Sequence, residues 1–300
     1  MINEVVTTAV LNDKKIVALL DTGSNITLIH SEVVGDSNDP DEEREFTVDF
    51  KRTVKRSVTF MSGIGTSRDA MAVGLKVGGR PLVNKTVVTI TDLHKTIPNF
   101  PPEIDMIVGT NALFGKILKV EVGSPPQLMT RAELNRIKGD LLEIDVVDTM
   151  CDLPRDGLGP LFMVRIHNAN PTAVFLADTG NKFSSFCLAD REDQTDSEDS
   201  GSVCGVGMDA TKCFSCGETN IQIRTRARHD TEYSPMPVRQ KLKTIPPPAS
   251  LTSIEKWCRD ERSATIDIQG NLGIDFWAGY MRMSVFDFDK RKLFCVPKAK

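Results

Sequence analysis

Cysteine is missing from the first half of this 300-residue chain, because all seven cysteines lie at or beyond position 151. A disulfide scaffold has its cysteines throughout the fold, and an odd number leaves at least one thiol unpaired within the chain. The distribution therefore excludes a disulfide scaffold. It also predicts that the first half folds without a bridge.

The chain also lacks an excess of basic residues and any long apolar run. Lys and Arg number 37 against 41 Asp and Glu, a net charge of −4. Nucleic acid is therefore not an expected partner, since no surplus positive charge is available to neutralise phosphates. Runs such as 16–20 are far shorter than the ~20 residues that cross a bilayer, and the N-terminus has no basic start or apolar core of a signal peptide. We expect a soluble chain with no membrane partner, in a compartment that the sequence does not indicate.

Signatures of several enzyme classes are absent as well. No Gly-x-Ser-x-Gly elbow, phosphate-binding loop or dinucleotide fingerprint occurs, so serine hydrolase, kinase and dehydrogenase activities have no support. Cys213 and Cys216 resemble half of a zinc site, with Cys204 and His229 as possible further ligands. Because no second close ligand pair follows, we predict no metal and no cofactor.

The composition present, 40% apolar and 26% charged, is that of a globular protein long enough for two domains. Val- and Thr-rich segments such as 86–91 predict strands. One helix is predicted over 129–137, with Thr130 as N-cap and Glu133 at the third helical position. The tract 235–250, which includes three consecutive prolines, predicts an extended loop.

An internal repeat is the most informative feature of the sequence. The segment 17–25 reads Val-Ala-Leu-Leu-Asp-Thr-Gly-Ser-Asn, and 174–182 reads Val-Phe-Leu-Ala-Asp-Thr-Gly-Asn-Lys. In both, an apolar strand leads directly into Asp-Thr-Gly. A turn-rich break over 145–160 separates the copies, so we divide the chain into domains 1–150 and 151–300.

A second motif follows each copy. Gly109 lies 88 residues after Asp21, and Gly273 lies 95 residues after Asp178. Each glycine follows an apolar residue and has a polar residue two positions later, with bulky apolar residues beyond. The same order at similar spacing indicates a duplicated lobe.

Two such copies suit acid–base chemistry. An apolar strand delivers each aspartate to its end, and the following glycine lets backbone N–H groups approach the carboxylate. If the lobes are related by a pseudo-twofold axis, Asp21 and Asp178 meet there and share one proton. The ionised member can then activate water while the protonated member donates to an amide carbonyl.

The sequence resembles a pepsin-like, two-lobed aspartic protease over nearly its whole length. The resemblance rests on the two Asp-Thr-Gly copies and on the C-terminal stretch 272–297, and the first lobe is also similar to a retropepsin protomer. It implies an all-β fold of two β-barrel-like lobes with the active site in the cleft between them. It further implies an endopeptidase that takes an extended peptide or protein substrate, needs no cofactor and acts as a monomer.

The resemblance assigns roles to the residues around the aspartates. Thr22 and Thr179 would cross-link the two loops through their hydroxyls, and Ser24 would hydrogen-bond the outer oxygen of Asp21. Gly23, Gly180 and Asn181 would complete the active-site support. A mobile flap, with its tip at 63–65, would close over the substrate and would contain Phe60, Met61, Ser62, Gly63, Ile64, Gly65 and Thr66.

The chain departs from the family in three ways. The flap segment has no tyrosine, Asn181 stands where Ser or Thr is usual, and the given sequence starts close to Asp21. From the last feature we expect either that a pro-segment has been removed or that the protease is not made as a pepsin-type zymogen. Two alternatives therefore stay open: a non-catalytic peptide-binding protein on the same fold, and a protease that processes the polyprotein of a retroelement. The family also suggests a disulfide in the second lobe, for which Cys258 could pair with Cys213 or Cys216.

Overall fold

The computed structural model describes residues 5–11, 13–34, 49–60, 63–82, 85–97, 100–137, 141–148, 159–167, 173–187, 199–203, 211–245 and 267–299. Strands predominate, so the chain is mostly β as predicted. The strands are β1 Val6–Leu11, β2 Lys14–Leu20, β3 Thr27–His30, β4 Asp49–Phe60, β5 Gly63–Val73, β6 Lys76–Val77, β7 Arg80–Pro81, β8 Lys85–Thr91, β9 Met106–Val108, β10 Ile117–Glu121, β11 Gln127–Met129, β12 Leu142–Ile144, β13 Val146–Asp148, β14 Phe162–Arg165, β15 Ala173–Ala177, β16 Ser185–Cys187, β17 Asp199–Val203, β18 Thr211–Ala227, β19 Ser234–Ile245, β20 Asp267–Leu272, β21 Met281–Asp287 and β22 Lys292–Pro297.

The helices are one or two turns long: α1 Ser31–Val34, α2 Leu93–Thr96, α3 Thr110–Leu113, α4 Arg131–Arg136 and α5 Ile274–Tyr280. The predicted helix is α4, two residues shorter at its start and one at its end. Thr130 and Glu133 form a capping box, in which each side chain accepts from the other residue's backbone N–H. Glu133 also forms a salt bridge with Arg80 of β7. This salt bridge ties α4 to the sheet that contains β1 to β9. In the part of the chain that the structure describes, no helix has the length and apolarity needed to cross a membrane.

The two sheets repeat the same arrangement of seven strands. In the first sheet the order is β4-β5-β8-β3-β9-β2-β1, and in the second it is β17-β18-β19-β16-β20-β15-β14. The first sheet continues beyond β1 with β6 and β7, which have no counterpart among the described residues of the second. When the seven shared strands of each sheet are numbered in chain order, both sheets run fourth, fifth, sixth, third, seventh, second, first. The pairing sense agrees at all six contacts, with parallel pairs at β8–β3, β9–β2, β19–β16 and β20–β15. The duplication seen in the sequence is therefore also a duplication of topology.

Six further strands belong to the second sheet. Five follow in the order β11-β10-β21-β22-β12, with β12 paired to β18, and the sixth, β13, pairs with β14. Strands β10 to β13 lie before residue 150 but pair within this second sheet. One buried cluster includes Leu20 and Val108 of the first sheet together with Ala177 and Leu272 of the second. Both repeats therefore contribute to a continuous apolar core.

The tract 235–250 was expected to be a loop, and this expectation is wrong for its first part. Residues 234–245 form β19, which pairs with β18 through residues that include Pro235 and Pro237. Proline has no N–H to donate, so a strand accepts it where that N–H faces outward. Among the described residues, the second neighbour of β19 pairs with it only at residues 243–245. The partners of the prolines, Arg224 and Gln222, accept through their carbonyls from Asp145 and His167 instead, so the prolines displace no hydrogen bond between β18 and β19.

Candidate active site

The first candidate aspartate lies directly beyond β2. Its backbone N–H donates to the Val108 carbonyl at 3.0 Å, which continues the parallel pairing of β2 with β9. The N–H groups of Gly23 (2.8 Å) and Ser24 (3.2 Å) then donate to Oδ1 of Asp21. The apolar strand therefore places this carboxyl group and its own loop orients it.

The second candidate aspartate has the same setting in the second sheet. Its backbone N–H donates to the Leu272 carbonyl at 3.0 Å, which continues the pairing of β15 with β20. The N–H of Asn181 donates to Oδ1 of Asp178 at 3.0 Å. Asp178 is only 9% exposed, whereas Asp21 is half-buried. The two aspartates thus occupy equivalent positions in the two repeats.

A reciprocal set of hydrogen bonds joins the two loops. The Thr22 hydroxyl donates to the Ala177 carbonyl at 2.7 Å and accepts from the Thr179 N–H at 3.1 Å. The Thr179 hydroxyl donates to the Leu20 carbonyl at 2.8 Å and accepts from the Thr22 N–H at 3.1 Å. Both side chains are fully buried. Because each hydroxyl bonds to the opposite loop, the set has twofold symmetry and joins the repeats at their aspartates.

Glycine is required on both loops by close approach. A methyl group on Gly23 would overlap the carboxyl group of Asp178, and one on Gly180 would overlap that of Asp21. Each loop therefore lies against the carboxyl group of the other repeat. The carboxyl groups of Asp21 and Asp178 are also close enough for each to change the pKa of the other.

The electrostatics of the pair are unequal. Burial raises the pKa of Asp178 well above its usual range, and the negative charge of Asp21 raises it further. Burial also raises the pKa of Asp21, while hydrogen bonds from the Gly23 N–H and from Asp178 oppose that rise. Two close carboxyl groups cannot both ionise cheaply. The pair therefore shares a single proton.

A further repeated arrangement supports each loop. Thr27, six residues after Asp21, accepts from the Gly109 N–H at 3.2 Å and donates to Oδ1 of Asn111 at 2.6 Å. The hydroxyl thus ties the start of β3 to the segment that follows β9. Thr27 is fully buried.

Its counterpart is Ser184, six residues after Asp178. Ser184 accepts from the Gly273 N–H at 3.0 Å and donates to Oδ1 of Asp275 at 2.7 Å. Sequence reasoning found the glycines and the polar residues two positions beyond them, but it missed both hydroxyl residues. Their equal spacing from the aspartates is the signal that could have identified them.

Ser24 and Asn181 do not act through their side chains as the resemblance implied. The Ser24 hydroxyl donates to the Ile26 carbonyl at 2.8 Å, and Ser24 reaches Asp21 through its backbone N–H. Asn181 reaches Asp178 in the same way, while its Oδ1 accepts from the Phe183 N–H at 3.2 Å. Both side chains are engaged with the residue two positions on, because a short polar side chain readily closes such a turn.

The candidate flap coincides with a hairpin. Strands β4 and β5 pair antiparallel, and their ladder reaches Phe60 opposite Gly63. The predicted tip at 63–65 is therefore part of β5, together with Thr66, and the connection falls at Met61 and Ser62, which lie outside the described residues. Strand β5 pairs with β8, and β8 with β3, so the hairpin belongs to the sheet that carries Asp21.

The candidate zinc and disulfide residues lie largely outside the described part of the chain. Cys204 and Cys258 are not described, and Cys213 and Cys216 are described only as backbone positions within β18. His229 is exposed. Among the described residues, no group of three His, Cys, Asp or Glu side chains is arranged to hold a metal ion.

Comparison with known proteins finds no family model that matches the chain and no curated protein that matches it. The chemistry assigned to the site therefore rests on its own geometry.

Proposed function

We propose that the chain is an aspartic endopeptidase in which Asp21 and Asp178 activate water for attack on a peptide bond. The observation that carries this proposal is the approach of two carboxyl groups, one from each repeat, at loops that the threonine hydrogen bonds join; both carboxyl groups have a raised pKa. Burying two adjacent acids costs stability, and the repeats share an apolar core that does not need them. Strongly perturbed carboxyl groups of this kind are typical of catalytic sites.

The geometry supports a division of labour between the two acids. Ionised Asp21 takes a proton from water as the water oxygen bonds to the carbonyl carbon, and Asp178 gives its proton to the carbonyl oxygen. This yields a tetrahedral diol. The carbon–nitrogen bond then breaks as Asp21 returns its proton to the amine, while the diol returns a proton to Asp178. Both acids finish in their starting protonation states.

The topology supports the proposed fold, two lobes of the acid protease type with the site at their junction. Seven strands recur in the same order and sense, and the reciprocal threonine bonds lie on the local twofold axis. The hairpin β4–β5 is the proposed flap. It would cover a peptide bound in extended form and offer it backbone hydrogen bonds.

The test is cleavage of a peptide library between pH 3 and pH 8, read by mass spectrometry. The full chain should cleave, and Asp21→Asn and Asp178→Asn should each abolish cleavage while far-UV circular dichroism shows both variants folded. Undiminished cleavage by either variant would contradict the proposal. A statine-type mimic that binds without turnover at any pH would favour the non-catalytic peptide-binding alternative, which Asn181 and the tyrosine-free flap motivate.

A further inference from the structure

The two repeats differ at one pair of buried positions beside the aspartates. In the first repeat Leu28 of β3 pairs with Ile107 of β9, and in the second Ser185 of β16 pairs with Asn271 of β20. All four residues are less than 5% exposed. An apolar pair in one repeat is therefore a polar pair in the other. Buried polar groups cost stability unless they are hydrogen-bonded.

The Asn271 side chain has partners for both of its polar atoms. Its Oδ1 accepts from the Ser185 hydroxyl. Its Nδ2 lies 3.3 Å from the Phe183 carbonyl and 3.5 Å from Oδ2 of Asp178. A carbonyl oxygen only accepts, so the Phe183 contact fixes which end of the amide carries the N–H groups. One N–H therefore faces the loop and the other faces the aspartate.

The carbonyl that corresponds to that of Phe183 in the first repeat accepts its hydrogen bond from a different donor. Ile26 and Phe183 stand five residues after Asp21 and Asp178, and the Ile26 carbonyl accepts from the Ser24 hydroxyl at 2.8 Å. The second loop has Asn181 in place of Ser24, and its side chain uses Oδ1 to accept from the Phe183 N–H. The Phe183 carbonyl is served instead by Asn271, from the neighbouring strand.

We propose that Asn271 is a positioning residue of the second aspartate loop: it makes from β20 the hydrogen bond that Ser24 makes within the first loop, and it presents an N–H to Asp178. This inference rests on the proposed function for its catalytic consequence. Asn271 thus makes up for the hydrogen bond that is lost because the second loop has Asn181 where the first has Ser24. The second loop therefore stays competent for catalysis.

The first experiment is a rescue. Asn271→Leu keeps the side-chain size but removes both N–H groups, and we expect kcat to fall about tenfold, as for loss of about one hydrogen bond, with KM unchanged. Adding Asn181→Ser recreates the arrangement of the first loop and should restore kcat to within about threefold of the parent. Ser284→Ala, another buried polar residue but on β21, is the matched control and should change neither constant. A parental rate for Asn271→Leu, or a double variant no faster than the single one, would overturn the proposal.

The second experiment does not require cleavage. The ¹³C carboxyl resonance of Asp178 is followed by NMR as pH is raised. An N–H donor favours the ionised carboxylate, so Asn271→Leu should move the upper titration step higher by about half a pH unit. Asn271→Asp keeps the shape of the side chain and adds a negative charge, so it should move the upper titration step further. This variant replaces Asn271→Leu in the experiment if Asn271→Leu does not fold. If the upper titration step of Asp178 does not move in the variants, the proposed role of Asn271 is refuted. If the step moves but the chain cleaves no peptide, only the proposed protease function is refuted.

Discussion

The threonine bonds between the loops make a quantitative prediction about stability. Replacing Thr22 by valine keeps the side-chain shape but removes the hydroxyl, which leaves the buried Ala177 carbonyl and Thr179 N–H without that partner. Each buried group that loses its partner costs ~1–3 kcal/mol. We expect the free energy of unfolding to fall by about 2–6 kcal/mol.

The symmetry of the site sharpens this expectation. Thr179 makes the same two bonds in the opposite direction, so Thr179→Val should cost nearly as much as Thr22→Val. The four bonds are distinct, and the double variant should therefore approach the sum of the singles.

Urea unfolding followed by circular dichroism and tryptophan fluorescence measures these costs. Thr22→Ser and Thr179→Ser are the matched controls, because they keep the hydroxyl and lose one methyl group, a cost of about 0.8 kcal/mol. The reasoning is refuted if a valine variant is as stable as its serine control. It is also refuted if the two valine variants differ by more than about 1.5 kcal/mol.

Two further predictions follow from the same loops. Gly180→Ala places a methyl group against the carboxyl group of Asp21 and should lower kcat by about 100-fold or more. Its control is Gly279→Ala in α5, where no atom lies within 4 Å of the added methyl, so stability should be unchanged or raised by ~0.5–1 kcal/mol. Equal kcat values for the two variants would contradict the steric argument. The second prediction concerns pH. Because the pKa of Asp178 is raised in the folded chain, the parent loses stability as pH rises from ~4, the unfolded value, towards the folded one. Asparagine does not titrate, so the free energy of unfolding of Asp178→Asn should rise relative to that of the parent between pH 4 and pH 7. Urea unfolding at these two pH values measures the difference. The prediction is contradicted if the variant shows no relative gain in stability.

Features that depend on a few neighbouring residues could be predicted from the sequence. The capping box of α4 involves only Thr130 and Glu133, and both its existence and its place were predicted. The two aspartate loops were also visible, since each is an apolar strand followed directly by Asp-Thr-Gly. Strand β19 shows the limit of such local reasoning. Its prolines favour a loop, and only the pairing with β18 shows that these positions need no N–H for the β18–β19 hydrogen bonds.

The division of the chain into domains 1–150 and 151–300 stays a prediction, whereas the membership of the sheets could not be predicted. Turn residues over 145–160 suggested a boundary near residue 150, yet strands β10 to β13, all before that point, pair within the second sheet. Sheet pairing depends on partners more than 100 residues away, such as Ile117 of β10 with Asp287 of β21. The local composition of the chain does not indicate which distant strands will pair.

The sequence by itself determined that the chain is a duplicated, mostly β protein with one aspartate at the same place in each copy, because strand periodicity and a repeated tripeptide are local signals. The meeting of the two carboxyl groups and the bonds of Thr22 and Thr179 across the loops were expected, but only the tertiary structure could provide these contacts, and it alone revealed that Asn271 serves the loop of Asp178. These contacts join residues 86 to 159 positions apart in the chain. They arise because buried polar groups must find partners wherever the packed strands bring them, and burial is a property of the folded chain.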